Sequence, residues 1–355
     1  LRLFYAASPF AAFLHDRLLP CRKRIGIMNT VAQLFQTLQR LQQMKFDTTG
    51  ANKSIALPRV GSKALYWVAV VTPCDSTGRF DPGAMRAILG WHKQAGADGV
   101  VVMGTTGEFS SFSVHERKKV AETVLNNKNG LNVIIGPGTP NIAETIELAR
   151  HAEANGADGL LVIPPYYFSR PPVEGLTAYF SMLFDAVQLP TSLYHYPQTS
   201  QAPVTRQLLK NLRHYSHLVG IKDSSGDSIG YAEFVQVFPE LNMCAGSINN
   251  IETGLENGMG AILGEGNAFS KKCAEIFAAY RQKRDWRTAV VKLIKAQKAI
   301  DDAAGGASYS AAQKYILGLQ MGMAETYVRA PYVQLTAAQK SALKAAFDRI
   351  GVTEE

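Results

Sequence analysis

Ala95-Gly96-Ala97-Asp98-Gly99 returns almost unchanged as Asn155-Gly156-Ala157-Asp158-Gly159. A helical pattern precedes each copy, over 84–95 and 142–155, and a short apolar run follows each one. Glycine at the C-terminus of a helix with a strand directly behind it is an αβ junction. Two junctions in nearly the same words predict a strand–helix unit that is used repeatedly.

Outward from these phrases the unit recurs. Apolar or β-branched runs occur at 67–72, 99–103, 132–135, 159–163, 191–194, 219–222, 242–245 and 261–263. They are about 20–35 residues apart, which leaves room for one helix and two loops. Further helical patterns fill the gaps at 114–125 and 173–187. Alternation of this kind predicts a parallel sheet, and eight units favour a closed (β/α)8 TIM barrel over an open doubly wound sheet. The open sheet would usually carry GxGxxG after its first strand; this chain has Pro73-Cys74-Asp75-Ser76. Three long helical patterns follow the eighth run, from about 271 to 350. A barrel needs one, so the rest predict a C-terminal helical extension. The expected organisation is an N-terminal extension over 1–64, barrel units over 65–270, and the last barrel helix with the extension over 271–355.

At 355 residues the chain is long enough for one barrel with additions. Its net charge of +8 lies wholly in residues 1–64, which hold ten Lys/Arg and two Asp/Glu; the remainder holds 27 of each. A nucleic-acid module would show a basic face within its fold, so no nucleic-acid partner is expected. No apolar stretch is long enough to span a bilayer, and no membrane partner is expected. Cys21, Cys74, Cys244 and Cys273 are far apart and form no CxxC pair. They suggest reduced thiols in a cytoplasmic setting, with neither a disulfide framework nor a zinc site. The seven histidines show no HExxH spacing. In the N-terminal extension, the Arg-rich, acid-poor start reads either as a targeting segment or as sequence upstream of a start at Met28. Val31, Leu34, Phe35, Leu38, Leu41 and Met44 fall at the spacing of an amphipathic helix, followed by a polar linker over 47–63.

In such a barrel the functional residues stand at the C-terminal ends of the strands. The sixth run, Leu218-Val219-Gly220-Ile221-Lys222, ends in an amine, and Asp223-Ser224-Ser225-Gly226-Asp227 follows. Burial disfavours the charged form of a lysine, and a neutral amine condenses with a carbonyl to give a Schiff base. The competing reading is a lysine that pairs with Asp223 or reaches out from the strand end. Gly104-Thr105-Thr106-Gly107-Glu108 offers hydroxyls and backbone N–H groups to an anion, a carboxylate more than a phosphate; it is also simply a tight turn before a Ser113–Glu116 capping box. Tyr194, in Tyr194-His195-Tyr196-Pro197, has a hydroxyl suited to relaying protons, although tyrosines also fill cores. If Tyr194 points inward, His195 points away.

Taken together, Gly104–Glu108, the Tyr-x-x-Pro of Tyr194 to Pro197, and Gly220 to Asp227 resemble the dihydrodipicolinate synthase / N-acetylneuraminate lyase family. Pro164-Pro165-Tyr166-Tyr167, Ala245-Gly246-Ser247 and Arg329-Ala330-Pro331 add to the resemblance, which covers about 65–350. It implies a class I aldolase or lyase handling pyruvate or another 2-oxo acid. Lys222 would form the Schiff base, Tyr194 would relay protons, and Thr105 would link Tyr194 to Tyr167 of a neighbouring subunit. Thr106, Gly107, Glu108, Thr199, Ser247 and Leu263 are the implied substrate-binding positions. No metal or organic cofactor is implied, and a homo-oligomer, tetramer or dimer, is expected. One position departs from the pattern. The synthases carry an arginine five residues after the catalytic tyrosine, and Thr199 stands here. Loss of a bidentate carboxylate clamp favours a 2-keto-3-deoxy sugar acid or a 4-hydroxy-2-oxo acid over the synthase reaction. Synthase activity stays open if Arg170 substitutes, as does a barrel that binds a small acid without catalysis.

Overall fold

A computed structural model of the chain describes residues 64–352. The readings on the N-terminal segment, its amphipathic helix and its linker lie outside the described residues. Eight strands follow in order: β1 (Tyr66–Ala69), β2 (Gly99–Val102), β3 (Asn132–Ile135), β4 (Gly159–Val162), β5 (Thr191–His195), β6 (Leu218–Asp223), β7 (Asn242–Ala245) and β8 (Ala261–Leu263). All pair in parallel with their chain neighbours, and β8 returns to β1 to close the barrel. Strands β1, β2, β4, β7 and β8 are buried throughout, as expected where side chains face either the barrel interior or a ring of helices. β1 ends earlier than its apolar run suggests. Beyond Ala69 the side chain of Asn267 replaces a strand partner, accepting from the Val71 N–H at 3.1 Å and donating to the Ala69 carbonyl at 2.9 Å.

Helices α1 (Pro82–Gln94), α2 (Val114–Leu125), α3 (Ile142–Ala154) and α4 (Val173–Ala186) connect the first five strands. The short α5 (Pro197–Ser200), then α6 (Arg206–Leu212), α7 (Ser228–Val237) and α8 (Ile251–Glu256), connect the rest. The Ser113–Glu116 capping box forms at the start of α2. Four helices follow β8, where the sequence pattern suggested three: α9 (Gly266–Arg281), α10 (Arg287–Ala304), α11 (Tyr309–Met321) and α12 (Ala337–Val352). Gly305, Gly306 and Gly322 all adopt positive φ and divide what periodicity alone runs together. α9 packs on β1 as the last barrel helix and begins at Gly266, a few residues before the 271 at which that helix was expected.

The repeated phrase does the same work twice. Gly96 (φ +92°) and Gly156 (φ +77°) end their helices in the left-handed region. The aspartates then reach the strand before. Asp98 accepts from the Tyr66 N–H of β1 at 2.9 Å and pairs with Arg281. Asp158 accepts from the Val133 N–H of β3 at 2.7 Å and pairs with Lys128. Both stand at the N-terminal mouth.

Strand β6 carries one residue more than β5. Thr191 is level with Leu218, but Ser192 is level with Gly220, so Val219 is a bulge residue. Beyond it the register is regular and brings Tyr194 level with Lys222 and His195 level with Asp223.

Candidate active site

Tyr194, Lys222 and Cys244 stand level on β5, β6 and β7. Residues level on neighbouring strands share a face, and this face opens into the C-terminal mouth. The Lys222 Nζ lies 4.5 Å from the centroid of the Tyr194 ring. Lys222 and Tyr194 are each 5% exposed. Asp223 points to the opposite face, where its Oδ1 accepts from the Ser225 N–H and Oγ at 2.8 and 2.6 Å, so it does not pair with Lys222. Burial pushes the Cys244 thiol up to about 12, and it stays protonated beside the amine.

His195 faces outward with Asp223. Its Nδ1 accepts from the Val204 N–H at 3.1 Å, and its ring packs edge-on against Phe234. Desolvation holds its pKa below the usual value, against the opposing pull of Asp223 and Asp227. It takes no part in the mouth.

The Gly104–Glu108 turn follows β2 and is bracketed by two non-glycine residues in the left-handed region, Met103 (φ 57°) and Glu108 (φ 56°). Such conformations cost about 1–3 kcal/mol each and persist only where surrounding contacts hold them. The contacts come from the C-terminal helices. Lys314 of α11 sits 2.5 Å from Glu108 Oε1, both side chains almost fully buried, and donates to the Tyr327 carbonyl at 2.7 Å. The Arg329 N–H donates to Glu108 Oε2 at 2.8 Å, and its guanidinium pairs with Glu116 and lies over Phe112. Ser310 Oγ donates to the Thr106 carbonyl at 3.2 Å. Gly107 is wedged against Val70 and Thr72 in the segment after β1, and its carbonyl accepts from Thr72 Oγ1. With the turn fixed in this way, the N–H groups of Thr105 and Thr106 have no acceptor among the described residues, and Thr105 Oγ1 is buried without a partner.

These elements enclose a cleft of about 360 Å³. Of the expected residues, Thr105, Thr106, Tyr194, Thr199, Lys222 and Ser247 all line it. Four do not. Glu108 is turned back by its left-handed backbone into the ion pair with Lys314, Gly107 is packed on Val70 and Thr72, and Leu263 is buried in the wall. Tyr167 is 88% exposed on the loop after β4 and does not line the cleft of its own chain. Arg170 is also exposed, with its N–H donating to the Gln201 carbonyl, and does not line the cleft.

The cleft includes residues that the sequence reading missed. Tyr196 stacks on Tyr194 at 5.8 Å, and Ser224 donates to the Gly246 carbonyl at 3.2 Å. Each stands two residues beyond a recognised one, a period-2 signal that was available. Glu265 stands just after β8. Tyr309, Ser310 and Tyr332 come from α11 and the segment before α12, which reach the mouth only through tertiary packing. Among the described residues no group of three or more His, Cys, Asp or Glu side chains is gathered for a metal ion, and no helix is long and apolar enough to cross a membrane.

Comparison with known proteins matches residues 64–350 to the model of the dihydrodipicolinate synthetase family. An uncharacterised DapA-like lyase of Chloroflexus aurantiacus is 34% identical over 288 residues, 79% of this chain and 95% of the relative. YagE, a prophage protein of the dihydrodipicolinic acid synthase family from E. coli K12, solved with pyruvate, superposes with a TM-score of 0.76 at 26% identity. The match covers 81% of this chain and 98% of YagE. A catalytic-lysine mutant of the Ruminococcus gnavus sialic acid aldolase gives 0.76 and 26%, over 82% of this chain and 97% of that one.

Proposed function

This chain belongs to the dihydrodipicolinate synthetase family, and from that premise we propose that Lys222 is the amine through which it works. The protein is a Schiff-base-forming lyase or aldolase acting on pyruvate-like 2-oxo acids. The observation that carries the assignment to Lys222 is its position: a buried amine over the Tyr194 ring, in no ion pair among the described residues, at the end of a barrel strand.

In this reading the neutral Lys222 amine attacks the ketone carbon and water leaves, giving an iminium. The iminium accepts the electron pair when the carbon–carbon bond breaks, or supplies the enamine when one forms. The same groups serve cleavage, condensation and dehydration. Tyr194 moves protons between the nitrogen, the departing water and the substrate hydroxyl. The free N–H groups of Thr105 and Thr106 hold the substrate carboxylate, as a fixed turn with converging donors does for anions. Thr105 Oγ1, buried and unpartnered, passes protons from Tyr194 to a hydroxyl from outside this chain. The exposed Tyr167 of a second copy is the proposed donor, which makes a homo-oligomer the working form. The free, buried thiols of Cys74, Cys244 and Cys273 suit a reducing compartment such as the cytoplasm.

The test is borohydride trapping with pyruvate, followed by peptide mass spectrometry. A reduced pyruvyl adduct on Lys222 is expected. No adduct on Lys222, across pyruvate and several 2-oxo acids, overturns the assignment.

A further inference from the structure

We propose that Glu265 sets the substrate class of the cleft: its carboxylate selects a substrate half that is uncharged and hydroxylated and rejects one carrying a second carboxylate. This inference rests on the Schiff-base reading of Lys222.

The charges that line the cleft are simple. Among the described residues the lining holds one cation, Lys222, and one carboxylate, Glu265; ten of the fourteen lining residues carry a hydroxyl. The nearby cations are committed elsewhere: Lys314 to Glu108, and Arg329 to Glu116. Once Lys222 is an iminium, its charge is met by the carboxylate of the 2-oxo acid bound to it. A second substrate carboxylate would then share the cleft with Glu265, with no further cation in its lining to meet it, and like charges so placed repel.

The hydroxyls converge where Glu265 stands. A Cβ built on Gly264 would fall 2.8 Å from the Tyr309 hydroxyl and 2.9 Å from Thr106 Oγ1, so both hydroxyls close over the residue next to Glu265. Glycine at 264 keeps that space open. An ionised carboxylate only accepts hydrogen bonds, whereas the Tyr309, Thr199 and Ser247 hydroxyls that line the same cleft can donate and accept. That combination suits a chain of substrate hydroxyls. Glu265 also interacts with Lys222 through space. Burial holds its pKa above the usual carboxylate value, against the lowering pull of its own backbone N–H and of Lys222.

The test uses the full chain at mildly alkaline pH with pyruvate and one of two aldehydes, glyceraldehyde (neutral, hydroxylated) or succinic semialdehyde (carboxylated). The wild type is expected to favour glyceraldehyde by at least about tenfold in kcat/KM. Glu265→Gln keeps the shape and removes the charge, and should narrow that ratio by about tenfold through better use of succinic semialdehyde. Thr199→Arg, which places a cation on another wall, should narrow it without touching Glu265, so the outcome does not hang on one variant folding. A wild type that uses both aldehydes equally overturns the proposal, as does a Glu265→Gln protein that loses activity on both alike. Borohydride trapping of pyruvate is run in parallel. If the adduct forms throughout and the ratio does not move, only this inference falls. If the wild type forms no adduct, the Schiff-base reading falls with it.

Discussion

At the N-terminal mouth of the barrel, Asp98 and Asp158 each accept a strand N–H and each face a cation. At the C-terminal mouth, Lys222 stands in no ion pair and Thr105 Oγ1 has no partner among the described residues, and the Gly104–Glu108 turn is flanked by left-handed Met103 and Glu108. The two aspartates at one end are paired, while the reactive groups at the other are left with unmet capacity. That capacity has to be supported from outside, and the Glu108–Lys314 pair supports it by tying the Thr105–Thr106 turn to α11. The extension therefore belongs to the chemistry of the top as much as to the bulk of the fold.

Substitutions at the two mouths should separate in kind. Lys222→Ala is expected to remove the borohydride adduct and lower kcat by at least about 10⁴-fold. Its melting temperature should be at or above the wild-type value, because a buried amine without a partner is gone. A Lys222→Ala protein that keeps turnover would erase the contrast between the mouths. Next in size, Glu108→Gln leaves Lys314 buried and unpaired and should cost about 3–5 kcal/mol in denaturant unfolding. Adding Lys314→Met should recover much of that loss in a double-mutant cycle, and activity should fall in the single variant as the Thr105–Thr106 turn loosens. Tyr194→Phe should lower kcat by about a hundredfold or more with little change in KM or stability. A stability loss comparable to that of Glu108→Gln would mean that the hydroxyl is structural. The smallest effect belongs to the bottom. Asp98→Asn should cost about 1–2 kcal/mol, since the pair with Arg281 is partly exposed and the strand N–H keeps an acceptor. Turnover per folded molecule should not change.

The two mouths were also unequally legible in the sequence. The barrel could be read because its units are local: an apolar run, a glycine, a capping residue, each visible within a few positions. The same locality exposed Lys222, Tyr194 and the Thr105–Thr106 turn, which stand where their own strands end. Glu108 misled because its neighbours line the cleft while its own backbone is left-handed and turns the carboxylate away. Tyr309, Ser310 and Tyr332 left no sequence signal. They reach the cleft through the way helices far along the chain lie over the mouth, and no local period encodes that. The division of the C-terminal segment into four helices was hidden because the paired glycines interrupt a pattern whose apolar period continues on either side.

The bulge at Val219 makes the two mouths partly independent. An unbulged β6 with the same start would bring Ile221 level with Tyr194 and Lys222 level with His195, on the wrong face for the cleft. A chain that lost one residue here would have to choose. It could keep the Thr191–Leu218 pairing at the base and surrender the level of the amine, or keep Tyr194 beside Lys222 and drag the base out of register. Deletion at this point sets stability against activity in a single step. In the history of such a chain, length at Val219 would be guarded more closely than side-chain identity.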